Sequence, residues 1–155
     1  LSVDVETSVP NDFFTQIRTI LSLQKNEAWA RRHAGDKNPP AFLTARDVLE
    51  YATVEGARAN GLERKVGTLT PGKEADIIIL DGTHLNVTPV NHVPGAVVQM
   101  MDRSNVETVI VAGKIRKWRG RLLDVNLNRL RRELEASRDH LFTAAGISRD
   151  LFRPS

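Results

Sequence analysis

The 155 residues are 41% hydrophobic, enough for one core or two small lobes, and charge is mixed (22 basic against 19 acidic, net +3), with the basic excess largely in the second half. There is no cysteine, which excludes disulfides and thiolate metal sites and fits a reducing compartment, the cytoplasm. No apolar run approaches the ~18 residues of a membrane span.

The opening "LSVDVETSVPND" alternates Leu1, Val3 and Val5 with Ser2, Asp4 and Glu6, the period of a strand. Asn11 or Asp12 can then cap a helix carrying Phe13, Ile17, Ile20, Leu21 and Ala28 on one face, with Arg31, Arg32 and His33 in its last turn and Gly35 as its stop. "DKNPPAF" is a loop, because two prolines remove donors and fix φ. A second helix begins at Thr44, with Asp47 three residues on as a capping box, and runs through Val48, Leu49, Ala52 and Ala57 to Gly61. Gly56 within it suggests a close helix contact.

The texture changes near residue 62. "KVGTLTPGKEADIIILDG" is expected to form a short strand, a Pro71-Gly72 turn and a buried strand from Ala75 to Leu80. "THLNVTPVNHVPG" is a long irregular connection, and "AVVQMM" fits either a short helix or a strand. "VETVIVAGKIRKW" is expected to be a hairpin turning near Ala112-Gly113. In the last helix Leu127, Leu130, Leu134 and Leu141 share a face that ends at Gly146. The basic run Lys114, Arg116, Lys117, Arg119 and Arg121 alternates with Ile115 and Trp118, which favours a solvated strand face over a nucleic-acid site. A lone strand followed by two helices cannot bury itself, but suits the last unit of a larger α/β barrel.

Among chemistry-bearing residues, His33, His84, His92 and His140 show neither H-x-H nor H-x-x-x-H spacing. Each is expected to be a non-ligand, with His92 in the loop of most interest. Asp76 heads a strand and is expected to bond backbone amides of the preceding turn. Gly67, Gly72 and Gly113 suit turns rather than a phosphate cradle. Trp29 and Trp118 are expected to be packing residues, and Arg131, Glu135 and Arg138 to pair at helical spacing.

The stretch "TVEGARANGLERKVGTLTPGKEADIIILD", followed by "VETVIVAGKIRKWRGRL", resembles the C-terminal region of the amidohydrolase superfamily. It is most similar to the branch of cytosine, guanine and adenosine-type deaminases and triazine hydrolases. The resemblance implies an α/β plus β architecture, in which a (β/α)8 metal-dependent hydrolase barrel joins a composite β-sandwich. Residues 1–61 would be the barrel's last strand and helices, 62–123 the C-terminal part of the sandwich, and 124–155 a terminal helix and tail. That helix would dock against the missing barrel or a sister subunit.

The resemblance also implies a role for Asp4, which matches the aspartate ending the family's eighth strand. It would bind the catalytic Zn2+ or Fe2+, one per full-length subunit, and shuttle a proton from the metal-bound water. The remaining ligands, a His-x-His pair and two further histidines, would lie upstream. The expected activity is therefore hydrolytic deamination of a small heterocyclic amine by a homo-oligomer, with this chain inactive by itself. No nucleic-acid or membrane partner is expected. The alternatives are a chlorohydrolase of the same superfamily and a non-catalytic β-sandwich binding or assembly module.

Overall fold

The computed structural model describes residues 1–2, 11–148 and 150. Two compact units divide the chain, Leu1–Leu123 and Asp124–Ser155.

The first unit begins with helix α1, Phe13–His33. Asp12 caps it by accepting from the Phe14 amide at 3.1 Å, and Gly35 follows its end in the left-handed region at φ 81°. Ile17, Leu21 and Ala28 are its buried residues, and Phe14 rather than Phe13 turns toward the core. Helix α2, Ala45–Ala52, starts at the expected capping box: Thr44 Oγ1 accepts from the Asp47 amide at 3.2 Å, and the Thr44 amide donates to Asp47 Oδ2 at 2.7 Å.

The second helix is interrupted at Thr53 and resumes as α3, Val54–Ala59. A Cβ at Gly56 would stand 3.3 Å from the Tyr51 carbonyl oxygen, so the close helix contact expected there is with the end of α2, its immediate neighbour in the chain. The ambiguous "AVVQMM" belongs to a helix: α4 spans Val93–Gln99, with Pro94 in its first turn. Ile17 and Leu21 of α1, Val48 of α2 and Val98 of α4 form the core cluster, with Phe14, Ile20, Leu43 and Leu49 packed around it. Fully burying a side chain of this size contributes roughly 1.5–3 kcal/mol, so these four side chains hold the helices together.

The β part is an antiparallel sheet in the order β1-β2-β3-β4. Its strands are β1 Ile77–Leu80, β2 Val106–Val111, β3 Lys114–Trp118 and β4 Arg121–Leu122. Ile78 faces Val109, Ile110 faces Ile115, and a register shift separates Ile79 from Leu80. The β2–β3 hairpin turns at Ala112 (φ 47°) and Gly113 (φ 76°), both in the left-handed region that a tight primed turn requires.

Two expectations for this region are overturned. Residues 66–70 are not a strand; they form a loop held by the Lys73 ammonium, which donates to the carbonyls of Glu63 at 2.5 Å and Val66 at 3.1 Å. The apolar run ending at Leu80 is a strand but not a buried one: Ile78 is 55% and Ile79 47% exposed. A continuous apolar run signals a strand meant to be covered on both faces, and among the described residues β1 is an edge strand with β2 as its paired neighbour. The basic β3 is solvated as expected, only Lys117 being half-buried.

The second unit contains α5, Leu127–Ala145, capped by Asn126 through the Arg129 amide at 2.9 Å and closed by Gly146 at φ 64°. None of its residues is buried.

Candidate functional site

Asp4, the residue expected to carry metal and proton chemistry, lies outside the described residues. The histidines can be placed. His92 is the N-cap of α4, its Nδ1 accepting from the Gly95 amide at 3.1 Å, so one ring nitrogen is already committed. His84 Nε2 stands 3.4 Å from Asp81 Oδ2. His33 ends α1 with its ring centroid 6.1 Å from that of Trp29, and His140 lies in α5. Among the described residues no three His, Asp or Glu side chains converge as a metal site would require. The described part of the chain therefore does not by itself fit a catalytic metal.

The long-range hydrogen bonds of this region instead tie α1 to the end of α4 and the end of β1 to the segments beside it. Arg18, on α1, donates from Nε to the Gln99 carbonyl at 3.1 Å and from Nη2 to the Met101 carbonyl at 2.7 Å. A cation placed on the last carbonyls of a helix satisfies orphan acceptors and complements the dipole. Asn105, fully buried, sits at the centre of the next layer. Its Oδ1 accepts from Asn86 Nδ2 at 2.8 Å and from the Asp102 amide at 3.0 Å, while its Nδ2 donates to the Asp81 carbonyl at 3.0 Å. One side chain thus joins the end of β1, the irregular 81–92 connection and the 3-10 turn Arg103–Asn105. No described buried side-chain polar atom lacks a partner.

Hydrogen bonds set the carboxylates of this layer. Ser104, through its side chain and then its amide, holds Asp102 below the ordinary carboxylate range, with Arg18 and Arg103 adding to the effect. Thr83 does the same for Asp81, helped by His84. Both groups are charged caps, not poised acids.

Asp76 Oδ1 accepts from the Ala112 amide at 2.7 Å. It serves a backbone amide as expected, but that of the β2–β3 turn 36 residues away, not of the turn before it. Gly67 explains the first glycine of the G-x-L-x-x-G-K stretch: at φ 91°, its Cβ would fall 2.8 Å from Ala57 Cβ. Only glycine lets this loop pass so close to α3. The most recognisable motif of the chain is accordingly a structural one. Trp29 and Trp118 are 54% and 46% exposed, so neither is a core residue. Trp29 tilts against Phe42 at 5.7 Å, and Arg119 lies over Trp118. In α5 the pairs formed are Arg129–Glu133 and Arg138–Asp139 rather than the expected set.

Two hollows remain. A cleft of about 730 Å³ between the α2–α3 segment and the sheet is lined mainly by hydrocarbon, including Ala57, Val66, Ile77 and Val109. A smaller, charged one of about 450 Å³ is bordered by Asp81, His84, Glu107 and Arg119. Ser104 also borders the second hollow, but its hydroxyl is engaged by Asp102 while His84 stands beside Asp81.

Known proteins place this arrangement. The profile of the amidohydrolase family matches residues 4–116. The chain is 34% identical over 120 residues to a 5-methylthioadenosine/S-adenosylhomocysteine deaminase of Moorella thermoacetica, covering 77% of this chain and 28% of that enzyme. It is 35% identical over 134 residues to a 5'-deoxyadenosine deaminase of Methanosarcina acetivorans, covering 86% and 28%. The crystal structure of a zinc-bound adenosine deaminase from Xanthomonas campestris superposes with a TM-score of 0.71 at 30% identity, over 84% of this chain and 28% of that one. An atrazine chlorohydrolase from Arthrobacter aurescens, crystallised with zinc, shares the fold at a TM-score of 0.59 and 24% identity, over 75% and 25%. The chain spans about a quarter of the length of the relatives it matches. On the extent of the profile match, the chain belongs to the amidohydrolase family.

Proposed function

We propose that this chain contributes to a metal-dependent hydrolase that removes the amino group from a heterocyclic, adenosine-type substrate. The observation that carries this reading is the 34–35% identity, over more than three quarters of the chain, to enzymes named for deamination of adenosine derivatives. Asp4 is the residue assigned to the metal and to proton transfer; in support, its segment resembles the end of the family's eighth strand, and the profile match begins at this residue. Zinc is the metal proposed, because the adenosine deaminase that superposes on this chain was crystallised with it. When bound, such an ion supplies hydroxide at neutral pH. The described residues contain no cluster to hold it, so the other ligands belong to the portion of the relatives that this chain does not span.

The sheet is assigned to the C-terminal share of a composite β-sandwich. The exposed Ile78 and Ile79 and the edge position of β1 support this, because both call for a covering layer. No described helix is long and apolar enough to cross a membrane, and the absence of cysteine supports a cytoplasmic setting.

The test is ammonia release by the complete reading frame's product from adenosine, 5'-deoxyadenosine, methylthioadenosine and S-adenosylhomocysteine, with chloride release from atrazine measured in parallel. Ammonia without chloride is expected. Asp4→Asn should lower kcat by at least about 100-fold, the lower end of what positioned proton transfer contributes, and should reduce zinc content. Full activity in Asp4→Asn would remove Asp4 from the site. Chloride release alone would replace deamination with dehalogenation, and absence of both metal and turnover would leave a binding module.

A further inference from the structure

The apolar stripe of α5 is narrow. Leu127, Leu130, Leu134, Ser137, Leu141 and Ala144 follow one another at intervals of 3, 4, 3, 4 and 3 residues, the a and d positions of a heptad. Each of the four leucines is between 44% and 63% exposed. A helix that packs on a globular core carries a wider face, with apolar residues also at e or g. Here four of the five flanking positions, Arg131, Glu133, Arg138 and His140, are polar; the fifth is Ala145, and half-buried Phe142 lies outside the seam. A two-position seam bordered by charges fits another helix of the same kind.

The signs of the charges choose the partner and its direction. In a parallel pair, position g of one heptad meets position e of the next heptad on the other helix. That sets Glu133 against Arg138 of a second copy, twice by symmetry. In an antiparallel pair, Arg131 would meet Arg138 and repel it. Glu133 already pairs with Arg129 at 3.3 Å, and Arg138 with Asp139 at 2.8 Å. A carboxylate has two oxygens and a guanidinium five N–H donors, so these partners do not exhaust them.

We propose that α5 forms a parallel two-helix coiled coil with α5 of a second copy of this chain, Leu127, Leu130, Leu134 and Leu141 forming the seam and Glu133 facing Arg138 across it. This is independent of the proposed deaminase activity.

The experiment uses the 155-residue chain, with mass measured by sedimentation equilibrium. A dimer is expected, and Leu134→Asp should convert it to monomer. Because no residue of α5 is buried, the first unit should keep its unfolding midpoint in that variant. Glu133→Arg and Arg138→Glu should each raise the dimer dissociation constant about tenfold, by turning two attractive pairs into two repulsive ones, and the double exchange should restore it. Ala144→Cys introduces the chain's one thiol, and oxidation should join two copies. In an antiparallel pair the two thiols would be about 25 Å apart. A monomeric parent, a dimer that survives Leu134→Asp, charge reversals without effect, or no cross-link in the Ala144→Cys variant would each overturn the proposal.

Discussion

Removing the Asn105 side chain is the sharpest test of how the first unit is held together. Asn105→Ala deletes the acceptor of the Asp102 amide and the donor to the Asp81 carbonyl, and leaves Asn86 Nδ2 with only the Met100 carbonyl at 3.2 Å. Each hydrogen bond lost from a buried site costs about 1 kcal/mol, and more where the abandoned group stays out of water. With two backbone groups affected and a small void added, the expected loss is about 2–4 kcal/mol. Both tryptophans, Trp29 and Trp118, lie in Leu1–Leu123. Their fluorescence in a urea titration therefore reports that unit and not α5. At a slope of about 2 kcal/mol/M the midpoint should fall by about 1–2 M. Asn105→Asp keeps the acceptor but loses the donor, and should fall between parent and alanine variant. A change below about 0.5 kcal/mol for Asn105→Ala would show that the 81–105 connection stands without its buried amide, and the reasoning would be refuted.

Gly67→Ala should destabilise the same unit by more than about 2 kcal/mol, because φ 91° and a 2.8 Å approach to Ala57 Cβ both oppose a side chain; the same urea titration reads it, and Gly113→Ala, whose Cβ would meet open space, should cost less. Thr44→Ala removes the cap of α2 and should cost about 1 kcal/mol, with Thr44→Ser restoring most of it. The carboxyls of Asp36, Asp47, Asp81 and Asp102 are all held below their ordinary range by hydrogen bonds. Depressed folded-state values favour the native state above the ordinary carboxylate range, and that contribution disappears as pH falls through the folded-state values. The urea midpoint should therefore drop on acidification from about pH 4 downward, and the drop should shrink when Asp47 and Asp102 are both replaced by Asn.

Local signals are legible because their causes are local. The cap at Asp12, the Thr44–Asp47 box, the Ala112-Gly113 turn and the Gly146 stop each depend on residues within a few positions of one another. The long-range bonds of the first unit do not. Arg18 reaches carbonyls 81 and 83 positions away, Asn105 one 24 away, and Asp76 an amide 36 away. Nothing in the spacing of an arginine or an asparagine announces such a partner. The "DIIIL" run misleads for a related reason. Its hydrophobicity records that a covering is needed, but not which chain supplies it. The Asp4 expectation comes from family resemblance, while the G-x-L-x-x-G-K stretch that carries much of that resemblance is explained by packing and turn geometry.

The row Ile77–Leu80 also governs how this polypeptide can be handled. Among the described residues, its backbone donors and acceptors on one side, together with isoleucines half open to water, form a template onto which an extended segment of another molecule can stack. Above the micromolar concentrations at which the dimer is measured, the polypeptide by itself should aggregate, and Ile78→Lys should act as a gatekeeper that keeps it in solution.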